Sequence, residues 1–324
     1  MPLPLIPLLL GGAGLIGASK VAGSYVANDD AKRINTEASD LVRNGEYRME
    51  EAQEATKKAL EALGRKKSYV LNNSIQNFVQ AFSQIKNVNF NEPTELNELG
   101  KFQLDSASFE GLREMNKFAS ALSSATATAL MSFGAYGTAS ILGLASGSVA
   151  SVLSGFITSN ATLAFLTGGS IAAGVTSVLG GTLAAPALAV LGIFLESSAS
   201  KNLSDAKSNK AQALRFVKEI ELAKSMCGGI CRRAYIYERL LMRLDILLSA
   251  ANKGLVQTIN TSGTDYGKYS PAEKKTVAAA ASLAKAVKTI LDTPILTKEG
   301  NVTQESLDSA NEDKTSIIGI KIES

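Results

Sequence analysis

Residues 118–195 read FASALSSATATALMSFGAYGTASILGLASGSVASVLSGFITSNATLAFLTGGSIAAGVTSVLGGTLAAPALAVLGIFL and contain no Asp, Glu, Lys or Arg. In an average soluble domain about a quarter of the residues are charged. An uncharged run of this length therefore predicts contact with a membrane or with a very large buried interface. The run is built mainly from Ala, Gly, Ser and Thr, with Leu, Val, Ile and Phe between them.

Small residues recur within this run at steps of four, in two series. On a helix such spacing forms a stripe along which two backbones approach closely, as helices do where lipid supplies no hydrophobic drive. Two stripes joined by a turn between Ser159 and Gly169 predict a helical hairpin. The predicted packing residues are Ala139, Gly143, Gly147, Ser151 and Gly155 in the first series, and Gly169, Ala173, Ser177, Gly181 and Ala185 in the second.

Two environments suit this hairpin, a bilayer and the dry centre of a soluble bundle. In a soluble core the Ser and Thr hydroxyls would bond to backbone carbonyls. The glycines favour the bilayer, because each costs up to about 1 kcal/mol in a helix and soluble cores prefer Leu, Ile and Phe. A spanning helix needs about twenty residues, so the run allows two long crossings or as many as four short ones. The same hairpin can also be buried in one state and inserted in another.

The polar segments on either side of the run show the apolar periodicity of long amphipathic helices. Residues 29–88 carry apolar or small side chains at steps of three and four, which predicts a seam similar to that of a coiled coil. Gly64 and the pair Asn72-Asn73 are the predicted breaks. A further helix is predicted to begin near Asp105 or Ser106 and to continue into the uncharged run.

Residues 200–260 repeat the pattern from Leu203 to Leu255, with a predicted kink at Gly228-Gly229. Sixty residues of helix would span about 90 Å. The last helix has a clear start at Ser270, with Pro271 and Glu273 placed for a capping box. The predicted fold class is therefore all-α, an elongated bundle of long amphipathic helices around a central hydrophobic Gly/Ala-rich hairpin.

The chain divides by composition into five regions. The first begins with Pro2, Pro4 and Pro7, and its first cation, Lys20, follows the apolar stretch rather than preceding it as in a secretory signal. The regions are an apolar N-terminal segment at 1–27, an amphipathic helical region at 28–117, the uncharged hairpin at 118–195, a long amphipathic helix plus a C-terminal helix at 196–293, and a poorly ordered tail at 294–324.

Composition argues against catalysis, metals and nucleic acid. The chain has no His, which removes the usual general base and the commonest metal ligand. Cys227 and Cys231 cannot make a four-ligand zinc site without His, and they fit best as small core residues. Residues 12–17, GAGLIG, match the glycine pattern of a dinucleotide-binding loop but lack the strand and acidic residue which that fold requires. The net charge of +3 is too small to predict nucleic acid as a partner.

Three stretches carry a family resemblance: TSNATLAFLTGGSIAAG at 158–174, PLPLIPLLLGG at 2–12 and GTDYGKYS at 263–270. Together they resemble a widespread bacterial family of uncharacterised proteins, which implies a bacterial origin. The order of a long helix, an uncharged Gly/Ala hairpin and another long helix is similar to that of α-helical pore-forming toxins of the cytolysin A and haemolysin BL type, and to apolipoprotein L. This likeness of architecture implies a membrane-active protein.

The sequence therefore predicts a non-enzymatic, membrane-active protein without cofactors. Its hairpin inserts conditionally into a lipid bilayer, with homo-oligomerisation and pore formation as the expected consequence. The alternative is a constitutive membrane-associated or oligomeric scaffold without pore activity, whose hairpin is buried against other copies or an unknown protein partner. The predicted localisation is the bacterial membrane, with a soluble cytoplasmic form before insertion as one alternative.

Overall fold

The computed structural model describes residues 21–88, 104–123, 125–138, 166, 203–297, 302–304 and 306. Over these residues the protein is all-α, as predicted. The described helices are α1 (Val21–Val70), α2 (Gln76–Phe82), α3 (Ser106–Ser123), α4 (Ala127–Ala135), α5 (Leu203–Ser262) and α6 (Pro271–Asp292). A π-helical turn, Leu71–Ile75, joins α1 to α2, and a 3-10 turn, Tyr266–Lys268, precedes α6.

Helices α1 and α5 lie side by side and run in the same direction. The residue numbers of contacting pairs increase together along both helices, from Asn35 with Asn209 to Arg48 with Glu221 and Lys66 with Asp245. At 60 residues α5 is about 90 Å long, so the molecule is elongated. The side-chain amide of Asn209 donates to Asn35 at 3.1 Å, a polar contact of the kind that fixes register in parallel helix pairs.

The seam between these helices repeats every seven residues. On α5 every member of one such series is buried: Ala206, Ala213, Ile220, Cys227, Ala234, Leu241, Leu248 and Leu255. A strict seven-residue repeat gives 3.5 residues per turn rather than 3.6, which winds the two helices into a left-handed supercoil. Many seam residues are small, so the two helix axes approach closely along the part that carries them.

The chain returns along this pair through α3 and α4. Phe109 packs its ring against Phe78 and Phe82 near the end of α2, and Ala119 accepts a hydrogen bond from Asn72 at 2.7 Å. Higher numbers on α3 thus meet lower numbers on α1 and α2, so α3 is antiparallel to them. Helix α4 continues in the same direction and packs against α1 near Gly64.

Helix α6 packs against the C-terminal part of α5 and also contacts α3. Its start follows the predicted capping box, in which Ser270 Oγ accepts from Glu273 N and Ser270 N donates to Glu273 Oε2. Gly263, with φ +78°, allows the chain to leave α5. The strand-like residue Lys86 bonds through its backbone to Thr264 and Tyr266, which ties the end of α2 to this corner.

The structure corrects one predicted boundary and supports others. Helix α1 continues through Gly64, so the predicted break there is wrong, whereas Asn72-Asn73 lies in the π-helical turn. Helix α5 is one helix through Gly228-Gly229 and is not interrupted where a kink is predicted. Helix α3 begins at Ser106, as predicted, with the Asp105 carboxylate accepting from Ser108 N at 2.6 Å.

Candidate functional site at the start of the uncharged segment

The ten predicted packing residues of the hairpin lie outside the described residues. They are Ala139, Gly143, Gly147, Ser151, Gly155, Gly169, Ala173, Ser177, Gly181 and Ala185. The described part of the uncharged run comprises 118–123, 125–138 and 166. The site open to structural description is therefore the beginning of the run and the elements that contact it.

Helix α4 lies wholly within the uncharged run and is buried in the bundle. Thr126 caps its start, the hydroxyl accepting a hydrogen bond from Ala129 N at 3.3 Å. From Ala129 to Ala135 every residue is buried, including Met131 and Phe133 at 1% exposure. Residues 129–135 of the run are thus shielded from solvent by packing against α1 and its neighbours.

Two glycines allow α4 to touch α1 backbone to backbone. A Cβ built on Gly64 would lie 1.8 Å from the carbonyl oxygen of Leu130, and one built on Gly134 would lie 2.0 Å from that of Leu60. Both distances are far below any possible contact between a side chain and a backbone oxygen. At this crossing each helix therefore needs a glycine, at position 64 on α1 and at position 134 on α4.

A buried lysine of α1, Lys67, lies against the C-terminal end of α4. Lys67 is 0% exposed, and its Nζ lies 3.1 Å from the Tyr136 carbonyl oxygen, to which it donates, and 3.5 Å from that of Gly134. The ammonium also lies 5.7 Å from the centre of the Phe133 ring. The last carbonyls of a helix lack intrahelical donors and carry partial negative charge, so a cation there satisfies them.

Burial opposes the charge on Lys67. Loss of solvent lowers the pKa of Lys67 to about 7, an effect that the charge of Asp292 partly offsets. A lysine in this position changes its protonation close to neutral pH, while either form retains protons to donate to the two carbonyls. Deprotonation therefore removes the cost of burying the charge and leaves the donors to the two carbonyls in place.

Residues that follow α6 hold the same point from the other side. The Ala135 carbonyl oxygen accepts from Ile295 N at 2.8 Å and from Leu296 N at 3.1 Å. Thr138 Oγ1 donates to the Leu291 carbonyl at 3.0 Å. A Cβ on Gly137 would lie 1.6 Å from the Asp292 carbonyl oxygen, a third backbone contact. We call Gly64, Lys67, Leu291, Ile295 and Leu296 the α4 anchor.

The α4 anchor changes the interpretation of the C-terminal region. Ile295 and Leu296, which the sequence places at the start of a poorly ordered tail, are both 0% exposed. Residues 307–324, including the Ile-rich stretch at 317–322, lie outside the described residues. Ile295 and Leu296 are thus docked beside the end of α4.

A polar cluster joins the π-helical turn to α5. Asp245 accepts from Lys66 Nζ at 2.7 Å and from the Ser74 hydroxyl, and the Asn252 amide donates to the Ser74 carbonyl at 2.8 Å. The Ser74 hydroxyl is also 2.9 Å from that of Ser249. Turns of this kind inside helices often mark functional positions, and here the cluster fixes the irregular turn a few residues beyond Lys67.

The two cysteines contribute to the helix seam. Cys227 is 0% exposed, and burial raises the pKa of its thiol to about 11. Cys231 is partly exposed, and its Sγ lies 3.9 Å from the Ala55 carbonyl oxygen. For Cys227 the prediction of a small core residue is confirmed. Within the part of the chain that the structure describes, no group of acidic, Cys or His side chains is placed to hold a metal ion.

None of the described helices is both long and apolar enough to cross a membrane.

Comparison with known proteins returns no relative. No protein-family model matches the chain, no curated protein matches it, and no solved structure matches it. The resemblances to a bacterial family, to the cytolysin A and haemolysin BL toxins and to apolipoprotein L stay predictions.

Proposed function

We propose that this protein is a non-enzymatic, membrane-active protein in which the uncharged segment at 118–195 is stored in a helical bundle and inserts into lipid when the α4 anchor opens. The observation that carries the proposal concerns α4. This helix belongs to the longest charge-free stretch of the chain, and it is held by backbone contacts at Gly64 and by the buried Lys67.

The chemistry of the anchor supports a conditional rather than a permanent hold. Buried ionisable groups are costly, and they persist where their environment is maintained by specific partners. Lys67 has two carbonyl partners on α4, so separating α4 from α1 removes both of them while returning the ammonium to water. The stored state is stabilised by tight packing and weakened by the desolvation of this lysine.

In the proposed mechanism α4 leaves α1 first, and the hairpin that follows it then enters the bilayer. The small-residue stripes around Gly147 and Gly169 pack the inserted helices together, and several copies assemble into a pore. The protein is accordingly found in solution before insertion and at a bacterial membrane after it.

A leakage assay tests this proposal. Dye-loaded vesicles are mixed with the wild-type chain and with Gly134→Ala, which forces α4 away from α1. We expect the variant to release dye faster than wild type at equal concentration. Gly147→Leu, which blocks the stripe, should lower release even when combined with Gly134→Ala.

Gly228→Leu is the matched control, because Gly228 is exposed and a Cβ added there meets nothing within 4 Å. It should leak like wild type. Absence of leakage and of vesicle flotation for all variants, Gly134→Ala included, contradicts the proposed function.

The burial of α4 also favours a second candidate, a scaffold without pore activity. From Ala129 to Ala135 the helix is packed as an ordinary core element. For a scaffold, Gly134→Ala would lower stability or alter oligomeric state without any gain in leakage. Size measurement with and without detergent separates the two, since a scaffold keeps one constant assembly in both.

A further inference from the structure

The outward side of α5 presents a basic and apolar surface. It follows from the seven-residue repeat of the seam, because most residues one, two or five positions after Cys227, Ala234, Leu241, Leu248 and Leu255 lie on the exposed side of α5. The exceptions include Ser249, which bonds to Ser74, and Ile236, which packs against the core. We define the α5 outer face by its charged and large apolar members between residues 232 and 256, namely Arg232, Tyr235, Arg239, Met242, Arg243, Ile246, Lys253 and Val256.

Large apolar side chains on this face are unusually exposed. Tyr235 is 49% exposed, Met242 50%, Ile246 66% and Val256 45%. Single exposed apolar residues are normal on a protein surface, but these four lie on one side of one helix. Between Arg232 and Val256 the face extends about 36 Å along the helix.

The cations of the face alternate with the apolar residues and lack acidic neighbours on it. Arg232, Arg239, Arg243 and Lys253 are all exposed, and none of them forms an ion pair with another described residue. The acidic residues in this stretch are Glu238 and Asp245, and each follows a seam residue by four positions, which puts it on the flank. Asp245 is already paired with Lys66.

Helix α1 shows the opposite arrangement. Most of its exposed cations pair with acids one turn away, as Arg33 does with Asp30 at 3.3 Å and Arg43 with Asp40 at 3.7 Å. Such pairs neutralise the surface of a helix. The charge on α1 is therefore largely neutralised, whereas the cations of the α5 outer face have no acidic partner among the described residues.

We infer that the α5 outer face docks on the surface of an anionic lipid bilayer. Lys and Arg next to an anionic leaflet are attracted to its phosphate groups, while exposed Tyr, Met, Ile and Val side chains enter the boundary between headgroups and acyl chains. A face about 36 Å long offers several such contacts to a bilayer surface at once. Nucleic acid would satisfy the cations alone and would leave the aliphatic side chains in water.

The inference rests on the proposed membrane function and names its lipid charge and its docking surface. Docking would bring the elongated bundle flat onto the membrane before the uncharged segment leaves it. It makes the first encounter electrostatic, and the subsequent insertion a separate event.

Vesicle flotation of the full chain tests the inference. The probes are vesicles of phosphatidylcholine alone and vesicles with added phosphatidylglycerol, at low and high salt. We expect wild type to float with the anionic vesicles only, and less at high salt, because salt screens surface charge. Removing two cations by Arg239→Gln with Arg243→Gln should weaken partitioning about tenfold or more.

Two further variants separate lipid from other partners. Met242→Ser with Ile246→Ser keeps every charge and should also weaken vesicle binding. The matched control is Arg33→Gln with Arg43→Gln, which lowers the net charge equally on α1 and should bind like wild type. All these side chains are exposed, so the fold is expected to be retained, as circular dichroism can check.

Several results would overturn the inference. They are equal flotation with neutral and anionic vesicles, equal loss in the α1 control, or tighter binding to duplex DNA that is unchanged by Met242→Ser with Ile246→Ser. Dye leakage distinguishes this failure from that of the proposed function. Leakage from neutral vesicles with no effect of the α5 variants defeats docking alone, whereas flotation without leakage, in Gly134→Ala too, defeats insertion alone.

Discussion

Gly64 of α1 and Gly134 of α4 are in mutual backbone contact. A side chain on either glycine would clash with the backbone of the other helix. A Cβ on Gly64 would lie 1.8 Å from Leu130 O, and a Cβ on Gly134 would lie 2.0 Å from Leu60 O. A clash with a carbonyl on a helix cannot be relieved by rotating a side chain, so the helices must separate. This pair of glycines therefore sets the distance between α1 and α4.

Gly134→Ala is expected to lower the free energy of unfolding by about 2 kcal/mol, within the range seen when a packed site is overfilled. Urea unfolding followed by circular dichroism measures the change. Gly228→Ala is the control, since its new methyl group meets nothing within 4 Å and alanine favours a helix over glycine by about 1 kcal/mol. A Gly134→Ala protein as stable as wild type contradicts the contact.

The sequence predicts local features of this fold well. The capping box at Ser270, Pro271 and Glu273 depends on residues within one turn, and the seam of α5 depends on a repeat along one helix. The crossing at Gly64 depends on α4, which is distant in the sequence. From the sequence alone, Gly64 therefore predicts only a helix break. Spatial proximity of this kind leaves no periodic signal.

Lys67 illustrates a second limit. It stands in a run of three cations, Arg65, Lys66 and Lys67, and such runs are usually solvated. In the structure the three residues have different environments: Arg65 is exposed, Lys66 pairs with Asp245 and Lys67 is buried. One signal was available, since Lys67 continues the step of three or four from Leu60 and Leu63, but a fully buried lysine is too rare to predict.

Stability should rise with pH above neutrality because of Lys67. Burial lowers its pKa in the folded protein from 10.5 to about 7, so between these values the unfolded chain binds more protons than the folded one. Folding is therefore favoured as pH increases through this window, and the contribution is lost as pH falls towards 7 and constant below it. From pH 7 to pH 9 we expect a gain of about 2 kcal/mol.

Urea midpoints at several pH values between 7 and 9 measure this dependence. Lys67→Met should flatten it, at a cost in overall stability of about 1–3 kcal/mol, since the carbonyls of Gly134 and Tyr136 lose their donor. Lys58→Met, at an exposed position, should keep the wild-type slope. An unchanged slope in Lys67→Met would show that the lysine does not titrate in this range.

The cysteines should differ sharply in reactivity. Cys227 is 0% exposed with a pKa raised to about 11, whereas Cys231 is partly exposed. Since the thiolate is the reactive form, we expect alkylation of native Cys231→Ser protein to be at least about a hundredfold slower than that of unfolded protein. Cys227→Ser protein, which retains Cys231, should react faster in the native state. Equal rates for the two variants would contradict the packing of the α1 and α5 seam.

Asp245 should be needed by the π-helical turn more than its ion pair alone suggests. Its carboxylate accepts from both Lys66 and Ser74, and it is largely buried, so Asp245→Ala leaves a cation and a hydroxyl without their acceptor. We expect a loss of about 3 kcal/mol in urea unfolding, the range for breaking a buried pair.

Asp245→Leu should also lower the free energy of unfolding. Adding Lys66→Met to the Asp245→Leu protein should recover part of that loss, because the unpaired charge is removed and apolar contact replaces it. A double-mutant cycle on the two positions measures the coupling. Strictly additive losses would mean that Lys66 and Asp245 act independently. In that case the turn would be held by Ser74, Ser249 and Asn252, and the irregular helix beyond Lys67 would respond to its own packing rather than to the pair.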